Sequence, residues 1–280
     1  MNKKKILYIA QEISPYVEEN VSDQSKILPL GMLARGHDIR TFMPNYGTIN
    51  ERRNQLHEVI RLSDVNLTVN DKVHQLVVKV ASLLPQRMQV YFIDNDDFFS
   101  RKGTVTDKEG TLYADNCERS VFFIRGVFET VKKLRWVPDI IHCQGWFSGL
   151  APLYLSTLYK DDPALSGAKV VFSIYDMTPQ MPFGEELTQV LEYDDIRHEL
   201  LDGTSLQRDD LYKLIFSYVD GLLFATSDVS DETREAANKL SLPVIDYDNM
   251  EESIEAVDAF YDRLLSKKCV KVTPAALSLI

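Results

Sequence analysis

Apolar runs and amphipathic stretches alternate along most of this chain. Ile6 to Ala10 is a short β-rich apolar run, of the kind buried on both faces when a strand is central in a sheet. The spacing after it predicts a helix from Asp23 to Arg35, with Asp23 as N-cap and Gly36 just past its end. "HDIRTFMP" reads as the next strand, so the three form a parallel, right-handed βαβ unit. From Gln55 to Asp94 the period shortens: "EVIRLSDVNLTVNDKVHQLVVKVASLL" and "RMQVYFID" alternate apolar and polar residues between turn signals. That predicts antiparallel strands inserted in, or extending, the sheet. Residues 95–116 are polar and rich in Asp and Gly, a long loop expected to be functional or mobile. "CERSVFFIRGVFETVKKLRW" carries a strong helical period, and Pro138 stops it.

The alternation then resumes. "PDIIHC" is a predicted strand, "FSGLAPLYLSTLYK" a helix and "AKVVFSIYD" a strand, with helices joined by loops over 185–218. "VDGLLFAT" and "LPVIDY" are strands flanking the capped helix "SDVSDETREAANKL", and "MEESIEAVDAFYDRLLSK" is the last helix. Such order predicts an α/β fold: a single doubly wound, mostly parallel Rossmann-like sheet with an antiparallel insertion around 55–94. Residues 1–268 are expected to form one domain and 269–280 a mobile tail.

Composition changes this picture little. Of 280 residues, 45% are hydrophobic and 26% charged, values of an ordinary soluble chain. The net charge of −11 repels phosphate backbones and anionic membranes, so neither nucleic acid nor a membrane is an expected partner. The basic clusters Lys3–Lys5 and Lys132–Lys133–Arg135 read as solvated flanks of apolar runs, and charge pairs on the helices as surface decoration. No segment reaches the roughly 18–20 apolar residues of a membrane span, and the N-terminal apolar run reads as a strand, not a signal segment. Cys117, Cys143 and Cys269 form no C-x-x-C pair, which suits reduced thiols and a cytoplasmic setting.

Several chemistries fail on residue type. The stretch after the first strand, "QEISPYVEENVSDQ", holds no glycine to admit a pyrophosphate, and Glu18 and Glu19 would repel one. There is no P-loop and no G-x-S-x-G elbow. His142 and Cys143 are strand neighbours facing opposite ways, so with Asp139 they make a poor metal site, and no metal or cofactor is expected. Asp94–Asn95–Asp96–Asp97 lacks the spacing of a calcium loop and reads as a solvated turn. Asn116, at the start of "NCER", suits an N-cap.

The segments "QVYFIDNDDFFSRKG", "YADNCERSVFFIRGVFE", "WVPDIIHCQGWFSGLAPLYL", "VVFSIYDMTPQMPF" and "ISPYVEENVSDQSKILPLGMLARGHDIRTFMPNYG" together resemble the N-terminal lobe of bacterial glycogen and plant starch synthases. These are retaining glucosyltransferases of the two-lobed GT-B fold. The resemblance covers most of residues 5–230. It implies transfer of glucose from ADP-glucose to an α-1,4-glucan, with Asp23, Asp94, Asn95, Asp115, Asn116, Glu118, Arg119, Trp146 and Gln180 at matched positions. It also implies losses. Glu18, Glu19 and Asn20 stand where the family has K-T-G-G, which meets the donor's diphosphate and sugar. Gly145 and Phe147 replace the Asp and second His of H-D-W-H. Tyr175 replaces the histidine that holds the donor sugar, and Asp176 the Asn beside it.

Two readings follow from the resemblance. In one, the chain is a glucosyltransferase completed by a partner chain that supplies the second, nucleotide-binding lobe, because too little sequence follows "VDGLLFAT" to build one. Tyr175 would then donate a hydrogen bond and Arg101, Lys102 or Arg119 supply charge. In the other, the lobe is a non-catalytic glucan-binding, regulatory or scaffolding module, with Tyr16, Trp146, Phe147 and Tyr175 as candidate sugar-stacking rings. The replacement of a cation by Glu18 and Glu19 leaves the isolated chain impaired as a catalyst under either. The expected small-molecule partner is an α-glucan or a nucleotide sugar.

Overall fold

The apolar runs assemble into one ten-stranded sheet in the computed structural model, which describes residues 2–17, 22–175, 178–201, 206–227, 229–246 and 250–266. In chain order the first half is β1 (Lys5–Ala10), α1 (Ser22–Ala34), β2 (Asp38–Pro44), β3 (His57–Glu58), β4 (Val65–Val69), β5 (Lys72–Leu83), β6 (Met88–Asp94), α2 (Asp96–Phe99) and α3 (Asn116–Leu134). The second half is β7 (Ile140–Gln144), α4 (Ala151–Ser156), β8 (Lys169–Ile174), α5 (Leu187–Tyr193), α6 (Arg208–Phe216), β9 (Gly221–Phe224), α7 (Asp231–Lys239), β10 (Val244–Asp246) and α8 (Met250–Ser266). Strand order is β10-β9-β8-β7-β1-β2-β6-β5-β3, with β4 pairing β5.

β1 is central because both its faces are apolar. Ile6 to Ala10 are fully buried, and Ile6 lies in parallel register with Ile39 of β2 on one side and Ile140 of β7 on the other. From β1 the chain runs outward through β2 to β6, then returns to start β7 on the opposite flank. The order therefore reverses between β1 and β7, and the carboxyl ends of these two strands border the crevice where open α/β sheets bind ligands.

Several boundaries differ from the sequence expectations. β6 belongs to the parallel sheet through β2 as well as pairing antiparallel with β5, so the insertion proper is β3 to β5. α1 begins at Ser22, which puts Asp23 inside the first turn, paired with Lys26 at 3.0 Å, and not at the N-cap. α3 begins at Asn116, whose amide serves the Val105 carbonyl and Arg119 instead of capping the helix. The expected helix over "FSGLAPLYLSTLYK" is a 3₁₀ turn, Trp146–Ser148, followed by the short α4; the Gly149–Pro152 stretch does not carry one continuous helix. The 95–116 loop holds the short helix α2, capped by Asn95 accepting from the Asp97 N–H at 3.0 Å. Asp96 and Asp97 are solvent-exposed as expected of a solvated run, while Asp94 pairs with Lys79 and Asp97 also with His74. Glu18 to Asn20, Asp176, Cys269 and the expected tail lie outside the described residues.

Two charge assignments are also corrected. Lys4 is buried, not a solvated flank, and Asp258 of α8 is fully buried, not surface decoration. Lys4 Nζ lies 2.5 Å and Arg35 Nε 2.6 Å from the Asp258 carboxylate, and His37 Nε2 lies 3.0 Å from it. Beside them Tyr261 bonds His142 at 2.6 Å and Tyr8 at 3.2 Å, and the other His142 nitrogen meets Ser173 at 2.6 Å. Two glycines let α8 approach. A Cβ on Gly31 would sit 2.2 Å from Ile254, and one on Gly221 2.5 Å from Phe260. Knob packing and a paired polar seam thus seal α8 onto the sheet and α1.

Candidate functional site

At the carboxyl edge of the sheet, loops gather most of the sequence-matched residues. Arg119, on the first turn of α3, is fully buried. Its Nε donates to the Phe98 carbonyl at 2.8 Å, one terminal nitrogen to Asn116 Oδ1 at 2.6 Å and the other to the Thr104 carbonyl at 2.7 Å. The rings of Phe99, Tyr113 and Phe147 surround it at 5.0–5.8 Å. Burial pulls its pKa below the ordinary arginine value. The guanidinium thus ties α2, the 100–115 loop and α3 into one block. Arg101 forks onto Asp115 at 2.6 and 2.5 Å, which raises its pKa, and stacks on Tyr113 at 4.9 Å. Glu118 stands apart from this block, accepting from the Asn70 amide at 3.2 Å.

A second cluster joins β2, β5 and β6. Lys79 Nζ meets Glu51 at 2.6 Å and Asp94 at 2.7 Å, and Asn45 donates to Glu51 at 2.8 Å. Burial lowers the Lys79 pKa, but its bonds to the two carboxylates outweigh that and carry it up. Asn95, besides capping α2, donates to the Gln75 carbonyl at 2.9 Å.

The aromatic candidates are enclosed. Tyr16, Trp146, Phe147 and Tyr175 are 7%, 3%, 0% and 3% exposed, so their ring faces meet protein. Tyr16 packs edge-on to Phe92 at 4.9 Å, and burial lifts its hydroxyl to about 12. Trp146 sits between Phe147 and Phe183, at 5.6 and 5.4 Å. Tyr175 accepts from Gln144 Nε2 at 2.9 Å. Gln180 is exposed, and its carbonyl accepts from the Arg208 N–H at 2.8 Å. Asp23 is exposed on α1, away from the Arg119 block.

Between β1 and β7 lie residues the sequence reading passed over. Gln11 follows β1 and donates its N–H to the Gln144 carbonyl at 3.1 Å; its own carbonyl accepts from the Tyr46 hydroxyl at 3.0 Å. Gly145 has φ +83°, the left-handed region that glycine allows, and turns the chain from β7 into the 3₁₀ turn. Among the described residues, no group of His, Cys, Asp and Glu has the arrangement to hold a metal. No described helix is long and apolar enough to cross a membrane.

A family model described as "Starch synthase catalytic domain" matches residues 5–220. The chain belongs to this family. A glycogen synthase of Chlorobium limicola (strain DSM 245 / NBRC 103803 / 6330) is 40% identical over 183 residues, 64% of this chain and 37% of the relative. One from Chlorobium phaeobacteroides (strain DSM 266 / SMG 266 / 2430) is 35% identical over 236 residues, 82% of this chain and 47% of the relative. Matches to these starch synthase-family relatives thus span less than half of the relatives' own length. Among solved structures, the catalytic domain of Starch Synthase IV from Arabidopsis thaliana, bound to ADP and acarbose, superposes with a TM-score of 0.69 over 90% of this chain and 53% of that one, at 16% identity. The shared architecture is the mostly parallel, helix-flanked sheet of a GT-B glycosyltransferase domain.

Proposed function

We propose that this chain is an α-glucan-binding lobe of the glycogen and starch synthase family that does not by itself transfer glucose. The observation that carries this is the state of three cations at the carboxyl edge; Lys102, next to Arg101 in the same loop, is exposed. Lys79 is held by Glu51 and Asp94, Arg101 by Asp115, and Arg119 is enclosed with its donors on carbonyls and Asn116. A nucleoside diphosphate needs unspent positive charge or free N–H groups, and these three side chains offer neither. Glu18 and Glu19 add negative charge to the segment after β1. The acarbose and ADP in the starch synthase structure mark an oligosaccharide and a nucleotide as ligands of that protein, and of the two the uncharged sugar suits this edge. Residues 1–268 act as one unit in this reading, and the buried thiols of Cys117 and Cys143 suit a cytoplasmic setting.

Calorimetry on the pure chain with maltoheptaose, ADP and ADP-glucose tests the proposal. The expected result is heat with maltoheptaose alone; micromolar binding of either nucleotide sinks it. In a second reading another chain supplies the nucleotide-binding lobe, and the match of residues 5–220 to the starch synthase catalytic domain favours keeping glucosyl transfer in view. Its signature is ADP-glucose-dependent glucan extension by material that co-purifies with the tagged chain, absent from the chain alone.

A further inference from the structure

The crevice where strand order reverses is spanned by a side chain of the protein itself. Gln11 is 6% exposed, and its Oε1 accepts the N–H of Phe147 at 3.3 Å. That N–H lies in the first 3₁₀ turn after β7, at the edge of the crevice between β1 and β7. Gly145 makes room for the contact. A Cβ there would stand 3.1 Å from Gln11 Oε1 and 3.3 Å from Gln11 Cβ, tighter than ordinary packing. The bond is longer than the usual 2.9–3.0 Å or so for N–H···O, so it is one of the weaker main-chain contacts at this edge. At the end of β7, Gln144 is fully buried with its Oε1 lacking any donor, its side chain alternating to the sheet face opposite Gly145. A buried acceptor left unpaired costs about 1–3 kcal/mol, so this edge is not saturated by protein groups alone.

We propose that the Gln11 side chain is a displaceable plug in the switch-point crevice, its Oε1 standing where a sugar hydroxyl oxygen would accept from Phe147 N–H. The inference rests on the glucan-binding reading and deepens it. A hydroxyl oxygen accepts as an amide oxygen does, so a polyhydroxyl ligand takes over the role of Gln11 Oε1 at the Phe147 N–H. Nothing in this exchange requires charge, which matches the pairing of Lys79 and Arg101 with carboxylates at this edge. The plug also sets a penalty: glucan must displace one intramolecular hydrogen bond before it gains its own. Affinity is therefore lower than the crevice would give unplugged.

Shortening the side chain tests this directly. Gln11→Ala and Gln11→Ser remove the acceptor from reach of Phe147, while Gln11→Glu keeps an oxygen at the same length. By calorimetry with maltoheptaose, both shortened variants are expected to bind about ten-fold tighter than wild type, and Gln11→Glu as weakly as wild type. Without ligand, exchange of the Phe147 amide hydrogen followed by NMR should be about ten-fold faster in both shortened variants and unchanged in Gln11→Glu. Equal maltoheptaose affinity in wild type and both shortened variants overturns the plug and leaves the glucan-binding reading standing. Binding by the shortened variants but not by wild type supports the plug and ends that reading for the native chain. Absence of binding in all of them overturns both. Failure of both shortened variants to fold also overturns the plug, because a side chain the fold depends on is not displaceable.

Discussion

Two buried polar regions lie at opposite ends of the same sheet, and they are finished to different degrees. At the amino ends of β1 and β2, Lys4, Arg35, His37 and Asp258 bring two cations and an imidazole onto one carboxylate. Both Asp258 oxygens and both His37 nitrogens have partners. At the carboxyl ends, Asn45 Oδ1 and Gln144 Oε1 are buried without donors, and Gln11 reaches Phe147 at 3.3 Å. Buried polar groups are nearly always paired when their only task is to hold a fold. The closed end is built for cohesion. The open end keeps unmet hydrogen-bonding capacity, which is what a ligand of hydroxyl groups can satisfy.

The sharpest way to break this contrast is at Asp258. Asp258→Ala removes the carboxylate shared by Lys4, Arg35 and His37, leaving Lys4 its pair with Asp262 at 2.8 Å, and should cost about 3 kcal/mol by urea unfolding. A loss below about 1 kcal/mol would mean the cluster is not what anchors α8. At the other end, Arg119→Met keeps the apolar stem but removes the donors to the Phe98 and Thr104 carbonyls and to Asn116 Oδ1, an expected cost of about 3 kcal/mol. Its loop should also become more open to proteolysis between Arg101 and Asp115 than the wild-type loop.

Gly221→Ala probes packing without charge. The added methyl meets the Phe260 ring, and overpacking should cost about 1–3 kcal/mol while leaving the carboxyl edge untouched. Maltoheptaose affinity should then match wild type in calorimetry at a temperature well below the melting midpoint.

The pH dependence of stability sharpens the comparison further. His142 is fully buried, and burial pushes its pKa down to about 3 from an ordinary value near 6.5. The unfolded chain therefore takes up a proton between those values that the folded chain does not. Stability from this group is complete above pH ~6.5 and falls as pH drops toward 3, at about 1.4 kcal/mol per pH unit. Asp258 behaves differently: burial raises its pKa, but Lys4, Arg35 and His37 pull it down to about 2. Its contribution is present above roughly pH 4 and fades only as pH falls toward 2. Urea midpoints measured from pH 7 to 3 should decline in wild type and flatten in His142→Asn. The smallest effect is expected at Asp23→Ala, where an exposed pair with Lys26 should contribute within about 0.5 kcal/mol. A larger loss would show that the start of α1 matters to the fold more than its exposure suggests.

Much of the sheet was legible because its signals are local. Ile6–Ala10, "PDIIH" and "VVFSI" are apolar on consecutive positions, and that pattern suffices to mark a strand covered on both faces. The period of α3 was equally plain. The break between Trp146 and α4 was not, since "WFSGLAPLYL" keeps an apolar helical rhythm across a glycine and a proline that end one turn and begin another. Among candidate site residues, Arg101, Asp115, Asn116 and Arg119 were named and do meet in space. Gln11 and Gln144 went unnoticed because an uncharged amide in an apolar strand end carries no distinguishing composition. Lys4 and Asp258 were misplaced for a related reason: a lysine in a basic run looks solvated until a partner 254 positions away is brought beside it.

By itself the sequence determined most of the succession of strands and helices along the chain, the continuous apolar run of β1 and the family that the resemblance named, because periodicity and side-chain type act over a few residues at a time. Only the tertiary structure decided which charges are spent, which amides remain unmatched and how α8 seals the amino end. Those outcomes depend on desolvation and on partners far apart in the chain, and they exist only once the sheet has brought both sides together.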